Sequence, residues 1–183
     1  MPSVFTHPIP ALALAAGLGR NVVPPRLAVV TVIAAVLPDL DVASFAFGVR
    51  YAENLGHRGL SHSLVFALAV AALAFLAAPL LRAGRITAFL AVLFAMLSHI
   101  LLDAATTGGL GVAFFWPFDG TRYFLPWRPI AVSPFSPEAF LSEWGLRVIL
   151  SELRWVWAPC FIFALSGITV RRSARLLGRN RLR

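Results

Sequence analysis

The stretch His57-Arg58-Gly59-Leu60-Ser61-His62-Ser63 places two imidazoles, a guanidinium and two hydroxyls within one turn-forming segment. The chain has only four histidines, and the other two are His7 and His99. Asp103 follows His99 at the i+4 position, so on a helix the pair shares one face about a turn apart. Imidazole and carboxylate are the donors that a hydrolytic zinc site uses, often with a position left open for water. Asp39 and Asp41 follow Pro38 and alternate, so in extended chain they would face opposite ways. One of them can then bind metal while the other fixes the tautomer of a ligand histidine. His7 stands just before Pro8, a proline suited to the first turn of a helix. On an unbroken helix His57 and His62 would point about 140° apart. The glycine at 59 allows a turn that brings both inward, and Ser61 or Ser63 can then cap the following helix. Arg58 is the candidate catalytic residue: it can clamp a phosphate or carboxylate, although it can equally extend to lipid headgroups.

These residues sit at the ends of apolar segments. The chain of 183 residues is 59% hydrophobic and 13% charged, against a usual charged share of about 25%. Its mean hydropathy is +0.81. A soluble domain of this composition could not cover itself with polar surface, so the chain is expected to be an integral membrane protein. The net charge of +8 is carried by arginine alone, in short clusters between apolar runs and in the stretch from Arg171 to Arg183. That distribution fits the positive charge of cytoplasmic loops and argues against nucleic acid as the partner; the bilayer itself is the expected partner. The single cysteine, Cys160, provides no intrachain disulfide. The N-terminus lacks the basic region and cleavage site of a signal peptide.

The expected architecture is an all-α, polytopic membrane helical bundle. Ile9 to Leu18 and Leu27 to Leu37 are short apolar runs, the first a half-span or tilted helix. Pro38-Asp39-Leu40-Asp41 breaks the second, and residues 42–56 read as a connector. Ser63 to Leu81, free of charge, predicts a transmembrane helix; Arg82 to Arg85 is a basic turn, and Ile86 to Leu102 is the returning helix. Residues 110–145 are rich in aromatics and proline, which predicts a membrane-surface loop. Glu138 to Leu153 predicts an amphipathic helix, and Trp155 to Val170 a last span. Residues 1–170 form one domain and 171–183 a basic cytoplasmic tail. With that tail in the cytoplasm, the turn at Arg82 is cytoplasmic too, and His7, Asp39, Asp41, His57, His62, His99 and Asp103 converge on the outer side of the membrane. A metal or proton transporter would instead line a path through the cytoplasmic half. A metal or His–Asp network that only staples short helices is the other alternative.

The ordered set Thr6-His7, Pro38-Asp39-Leu40-Asp41, His57 to Ser63, Ser98-His99, Leu102-Asp103 and Thr106, with Trp116-Pro117-Phe118, resembles the YdjM-like family over residues 1–130. That family comprises bacterial inner-membrane proteins described as predicted metal-dependent hydrolases, and it is similar in turn to zinc-dependent phospholipase C and the zinc nucleases. The resemblance implies a divalent metal, zinc by analogy, and a phosphoester or phospholipid-like substrate. His99 and Asp103 match the His-x-x-x-Asp pair of those enzymes, with His7, the proline-preceded aspartate, His57 and His62 as further ligands. The chain has no later His-x-x-x-Glu and no histidine after His99, which implies one or two ions rather than three.

Overall fold

The computed structural model describes residues 1–180, which fold as helices joined by irregular chain, with no strand among the described residues. Helix α1 (Pro8–Leu18) starts on a proline whose missing N–H costs nothing at a first turn, and stops at Gly19 in the left-handed region. Helix α2 (Pro25–Val36) runs directly into a 3₁₀ helix (Leu37–Phe47). Pro38 therefore does not turn the chain to extended form, because it occupies the opening turn of that tighter helix. Asp39 and Asp41 are helical, and they diverge because 3₁₀ geometry separates alternate residues by about 120° around the axis. The connector expected from residue 42 begins only after Phe47.

The long apolar run after His62 is not one helix. Helix α3 (Leu64–Leu76) ends at Ala77, and a short helix α4 (Ala78–Leu81) follows. Pro79 cannot donate to the preceding turn and restarts the chain in a new direction. Arg82, at φ +55°, makes the reversal into α5 (Arg85–Ala104). Residues after Thr106 are irregular as expected, held by isolated bridges between Thr106 and Ile130 and between Val112 and Tyr123. The amphipathic segment forms two helices, α6 (Pro137–Phe140) and α7 (Glu143–Glu152). Helix α7 continues through a π turn (Leu153–Trp157) into α8 (Ala158–Asn180). The stretch read as a tail is thus helical from Arg171 to Asn180, and residues 181–183 lie outside the described residues.

Helix α5 is central. It packs against α3, α2 and α1, while α8 packs against α1. Its interfaces are built from small residues: Ala67, Ala71 and Ala74 of α3 meet a layer containing Ala88, Ala91 and Ala95 of α5. The large apolar side chains point outward instead, including Leu68, Leu73, Leu90, Phe161, Ile162 and Leu165. Water would penalise that inside-out pattern, whereas lipid is as apolar as leucine and leaves close backbone packing to drive association. Among the described residues three helical stretches are long and apolar enough to cross a membrane: Pro25–Phe47, Arg85–Ala104 and Glu143–Leu177. Helices α1 and α3 are shorter.

The chain runs so that polar residues collect at two ends. Arg20, Arg26, Arg82 and Arg85 flank the helix ends at one of them, where the Arg26 guanidinium donates to the Leu80 carbonyl at 3.0 Å. All four histidines lie at the other.

Candidate metal centre

Each element delivers its residue from the end that faces this cluster. His7 immediately precedes α1, Asp39 enters from the 3₁₀ continuation of α2, and His62 closes a single 3₁₀ turn (Leu60–His62) before α3. Ser63 caps α3 by accepting from the Phe66 N–H at 3.1 Å. His99 and Asp103 come from successive turns of α5. His7, His62, His99 and Asp103 are wholly buried, and Asp39 is 7% exposed.

The tautomers follow from the partners. His99 Nδ1 lies 2.8 Å from the Ala35 carbonyl, which only accepts, so Nδ1 carries the proton and Nε2 presents a lone pair. His62 Nδ1 sits 2.9 Å from Ser61 Oγ and 3.1 Å from Asp41 Oδ2, so it too is the donor nitrogen. The two Nε2 atoms are 3.0 Å apart. Asp103 Oδ2 is 3.3 Å from His62 Nε2, and Asp39 Oδ1 is 3.5 Å from His99 Nε2 and 3.8 Å from His62 Nε2. Four acceptors therefore point at one small volume, all within 4.8 Å of one another. Ligand atoms around a tetrahedral zinc, at bond lengths near 2.0–2.1 Å, are separated by about 3.3 Å. Both Asp39 carboxylate oxygens and Asp103 Oδ1 are buried without a hydrogen-bond partner, while Asp103 Oδ2 faces the Arg58 Nε at 2.9 Å. Buried acceptors without donors are costly, and a cation resolves all of them together. The donor set fits a divalent metal.

His7 stacks on His99 with ring centroids 3.7 Å apart. Its Nε2 is 3.6 Å from Asp39 Oδ2 and 3.5 Å from Asp103 Oδ1. Each aspartate thus turns one oxygen toward the His62–His99 pair and the other toward His7. Burial, and next the neighbouring His99, hold the His7 pKa down at about 4, which keeps its ring neutral. His62 shows the opposite balance. Burial opposes its charge, but hydrogen bonds to Asp103 and Asp41 outweigh it and push the pKa up to about 9. In the metal-free protein a proton on His62 Nε2 thus stands in the cation's place, facing His99 Nε2 and the Asp39 and Asp103 carboxylates.

Asp41 and His57 stand one layer out. Asp41 accepts from His57 Nδ1 at 2.7 Å, from Ser61 Oγ at 2.6 Å and from the Arg58 backbone N–H at 3.1 Å. It fixes two imidazoles at once. His57 Nε2 is buried with no partner, and the Tyr51 and Phe135 rings stand edge-on to its imidazole. Asp41, His57 and His62 form a second cluster in which ligand atoms lie within reach of a single ion. Arg58 is fully buried, with φ +64°. Its Nε lies 2.9 Å from Asp103 Oδ2, and its terminal nitrogens donate to Thr106 Oγ1 and the Gly108 carbonyl, each at 3.1 Å. The guanidinium is therefore directed at Asp103 and the loop after α5 rather than at an opening to solvent. That set of bonds holds the left-handed backbone, an uncommon state for a residue with a Cβ.

Two supporting residues give little sign of themselves in the sequence. Glu152 is buried and accepts from the Ser3 N–H, from Ser3 Oγ at 2.7 Å and from Thr6 Oγ1 at 2.7 Å. It ties the segment carrying His7 to the C-terminal span. A carboxylate at the head of a long apolar helix is the signal that could have marked it. Arg122 donates to the His57 carbonyl at 2.7 Å and to the Tyr51 and Glu53 carbonyls, pinning the loop that carries His57. No spacing rule reveals that contact.

A helical membrane protein with a buried His/Asp centre at one end is what fold and site define. The family model of the YdjM inner membrane protein matches residues 1–176, and the chain belongs to that family. It is also similar to the inner membrane protein YbcI of Escherichia coli strain K12, at 48% identity over 160 residues, covering 87% of this chain and 92% of that protein. No solved structure matches the chain.

Proposed function

We propose that the protein is a membrane-embedded, metal-dependent hydrolase acting on phosphoester or phospholipid-like substrates at the bilayer surface. The observation that carries this reading is the convergence of the His62 and His99 Nε2 atoms and the Asp39 and Asp103 carboxylates on one buried point. These four residues would hold a first divalent ion. His7, with the second oxygens of Asp39 and Asp103, offers a place for another. Held there, such an ion would supply Lewis-acid chemistry toward water and a phosphoryl oxygen. Asp41 orients His62, and it also orients His57, whose Nε2 has the free lone pair needed to receive a proton. Arg58 holds Asp103 in place, a positioning role instead of a clamp on substrate. Zinc is the metal that this ligand chemistry favours.

The complete burial of His62, His99 and Asp103 favours a second reading, in which the metal staples short helices without turnover. Elemental analysis of detergent-purified protein, followed by assay on bis-p-nitrophenyl phosphate and phospholipid micelles, separates the two. The hydrolase reading expects near-stoichiometric metal together with hydrolysis, both lost in His99→Ala and Asp103→Ala. Tight metal with no turnover on any phosphoester would leave only the structural role. Protein that takes up no metal even when offered zinc would overturn both.

A further inference from the structure

The end of the molecule opposite the histidines carries a second polar feature. A pocket of about 370 Å³ lies between the C-terminal end of α1 and the later turns of α8. It is lined by Gly19, Arg20, Asn21, Arg171, Arg172 and Arg175, among others. Among the described residues none of these four guanidiniums lies within ion-pair distance of a carboxylate, although other arginines of the chain do. Neither of the two stretches that form the pocket contains an acidic residue.

The pocket is built rather than incidental. Helices α1 and α8 approach so closely that a Cβ on Gly167 would lie 2.2 Å from the Gly17 carbonyl oxygen. Gly19 adopts φ +78°, and a Cβ there would lie 2.7 Å from Arg171 Nε. The absent side chain therefore makes room for the Arg171 guanidinium. Arg171 Nη2 donates to the Ala16 carbonyl at 2.7 Å, which caps the negative end of α1 and fixes the side chain. Its Nη1 is buried and has no partner in the protein. One guanidinium suffices to neutralise the end of a helix. The three further arginines around it, and the unpartnered Nη1, are in excess of that need.

We infer that this pocket is a binding site for a phosphate-bearing anion, the headgroup of an anionic phospholipid or free phosphate, separate from the metal centre. A basic pocket between membrane helices at headgroup level is the arrangement that captures anionic lipid. Several guanidiniums provide forked donors for phosphoryl oxygens, where lysine would offer only a point charge. The site would dock α8 against α1 through the lipid, without any part in hydrolysis.

The test uses full-length protein purified in a neutral maltoside detergent. Binding is read by thermal shift and by native mass spectrometry with dioctanoyl phosphatidylglycerol, dioctanoyl phosphatidylcholine or inorganic phosphate. The wild type should bind one phosphatidylglycerol saturably and at least tenfold more tightly than phosphatidylcholine, with affinity falling as salt rises. Arg172→Gln/Arg175→Gln, two exposed positions, should weaken phosphatidylglycerol at least tenfold. Arg50→Gln/Arg128→Gln, at the other end, should not. If inorganic phosphate competes, the free anion is a ligand of the same site; if it does not, the lipid is the ligand. Equal binding of the two lipids, or unchanged binding in the Arg172/Arg175 variant, would overturn the assignment. Because the readout involves neither metal nor turnover, it stands apart from the fate of the hydrolase reading.

Discussion

At the scale of single residues, the centre makes distinct demands on its inner and outer positions. His99→Ala or Asp103→Asn removes a donor from the four that converge, so bound metal should fall to background by elemental analysis. Asp41→Asn leaves those four donors in place but no longer holds the His62 and His57 rings through a carboxylate. Loss of such an outer partner typically costs ten- to a hundredfold in metal affinity, and titration against a competing chelator should return a value in that range. The pH dependence follows from His62. Its pKa in the metal-free protein is raised to about 9, so a proton occupies Nε2 below that pH and must leave before metal binds. Apparent metal affinity should therefore rise about tenfold per pH unit toward pH 9 and then level off. An affinity independent of pH between 6 and 8 would show that His62 is not a ligand. In the sequence, the His99–Asp103 pair was legible because helical spacing alone puts both on one face. The division of labour between Asp39 and Asp41 was legible only as a pair of options. Which aspartate faces inward depends on the 3₁₀ turn after Pro38, and no local pattern distinguishes that turn from a chain break.

At the scale of elements, what the sequence concealed has a common cause: apolar runs carry no periodic signal once lipid covers their outer face. The run from Ser63 to Leu81 reads as one span because every residue in it is compatible with lipid, and only Pro79 hints at the break after α3. The turns were plainer, since arginine clusters at 20–26 and 82–85 mark the ends of helices whatever their length. The α1–α8 crossing lies between these cases. Gly17 and Gly167 look like ordinary glycines in apolar stretches, yet the helices meet there backbone to backbone. Gly167→Ala should therefore lower stability by about 1–3 kcal/mol, the usual cost of forcing extra volume into a packed contact. Gly84→Ala is the matched control, for its new methyl would meet only Thr87 Oγ1 at 3.5 Å. Surface changes of that sort stay within about 0.5 kcal/mol. Thermal unfolding in detergent reads both. Since α1 carries His7 at its head, Gly167→Ala should also lower metal retention, and Gly84→Ala should leave it unchanged.

At the scale of the whole molecule, charge separation along the bundle axis sets its relation to the membrane. From Arg85 to Asp103, α5 rises about 27 Å, close to the ~30 Å hydrocarbon thickness. The arginine-rich end and the His/Asp centre would therefore lie near opposite faces of one bilayer. Arginine-rich short loops stay in the cytoplasm, so the orientation proposed here puts the centre toward the outer side. A metal site there would meet lipid headgroups and periplasmic solutes, while the arginine pocket at α1 and α8 would meet the inner leaflet. Cysteine labelling decides the matter. With Cys160→Ala as background, Gly84→Cys marks the arginine end and Gly120→Cys the loop on the centre's side; both glycines are exposed, with room for a side chain. In spheroplasts, a membrane-impermeant maleimide should label the protein carrying Gly120→Cys directly, and the one carrying Gly84→Cys only after lysis. The reverse pattern would turn the centre toward cytoplasmic substrates and move the arginine pocket to the outer leaflet, against the charge rule. Labelling of both positions before lysis would mean that the helices do not carry the two ends to opposite sides, and the shared-bilayer geometry would fail with it.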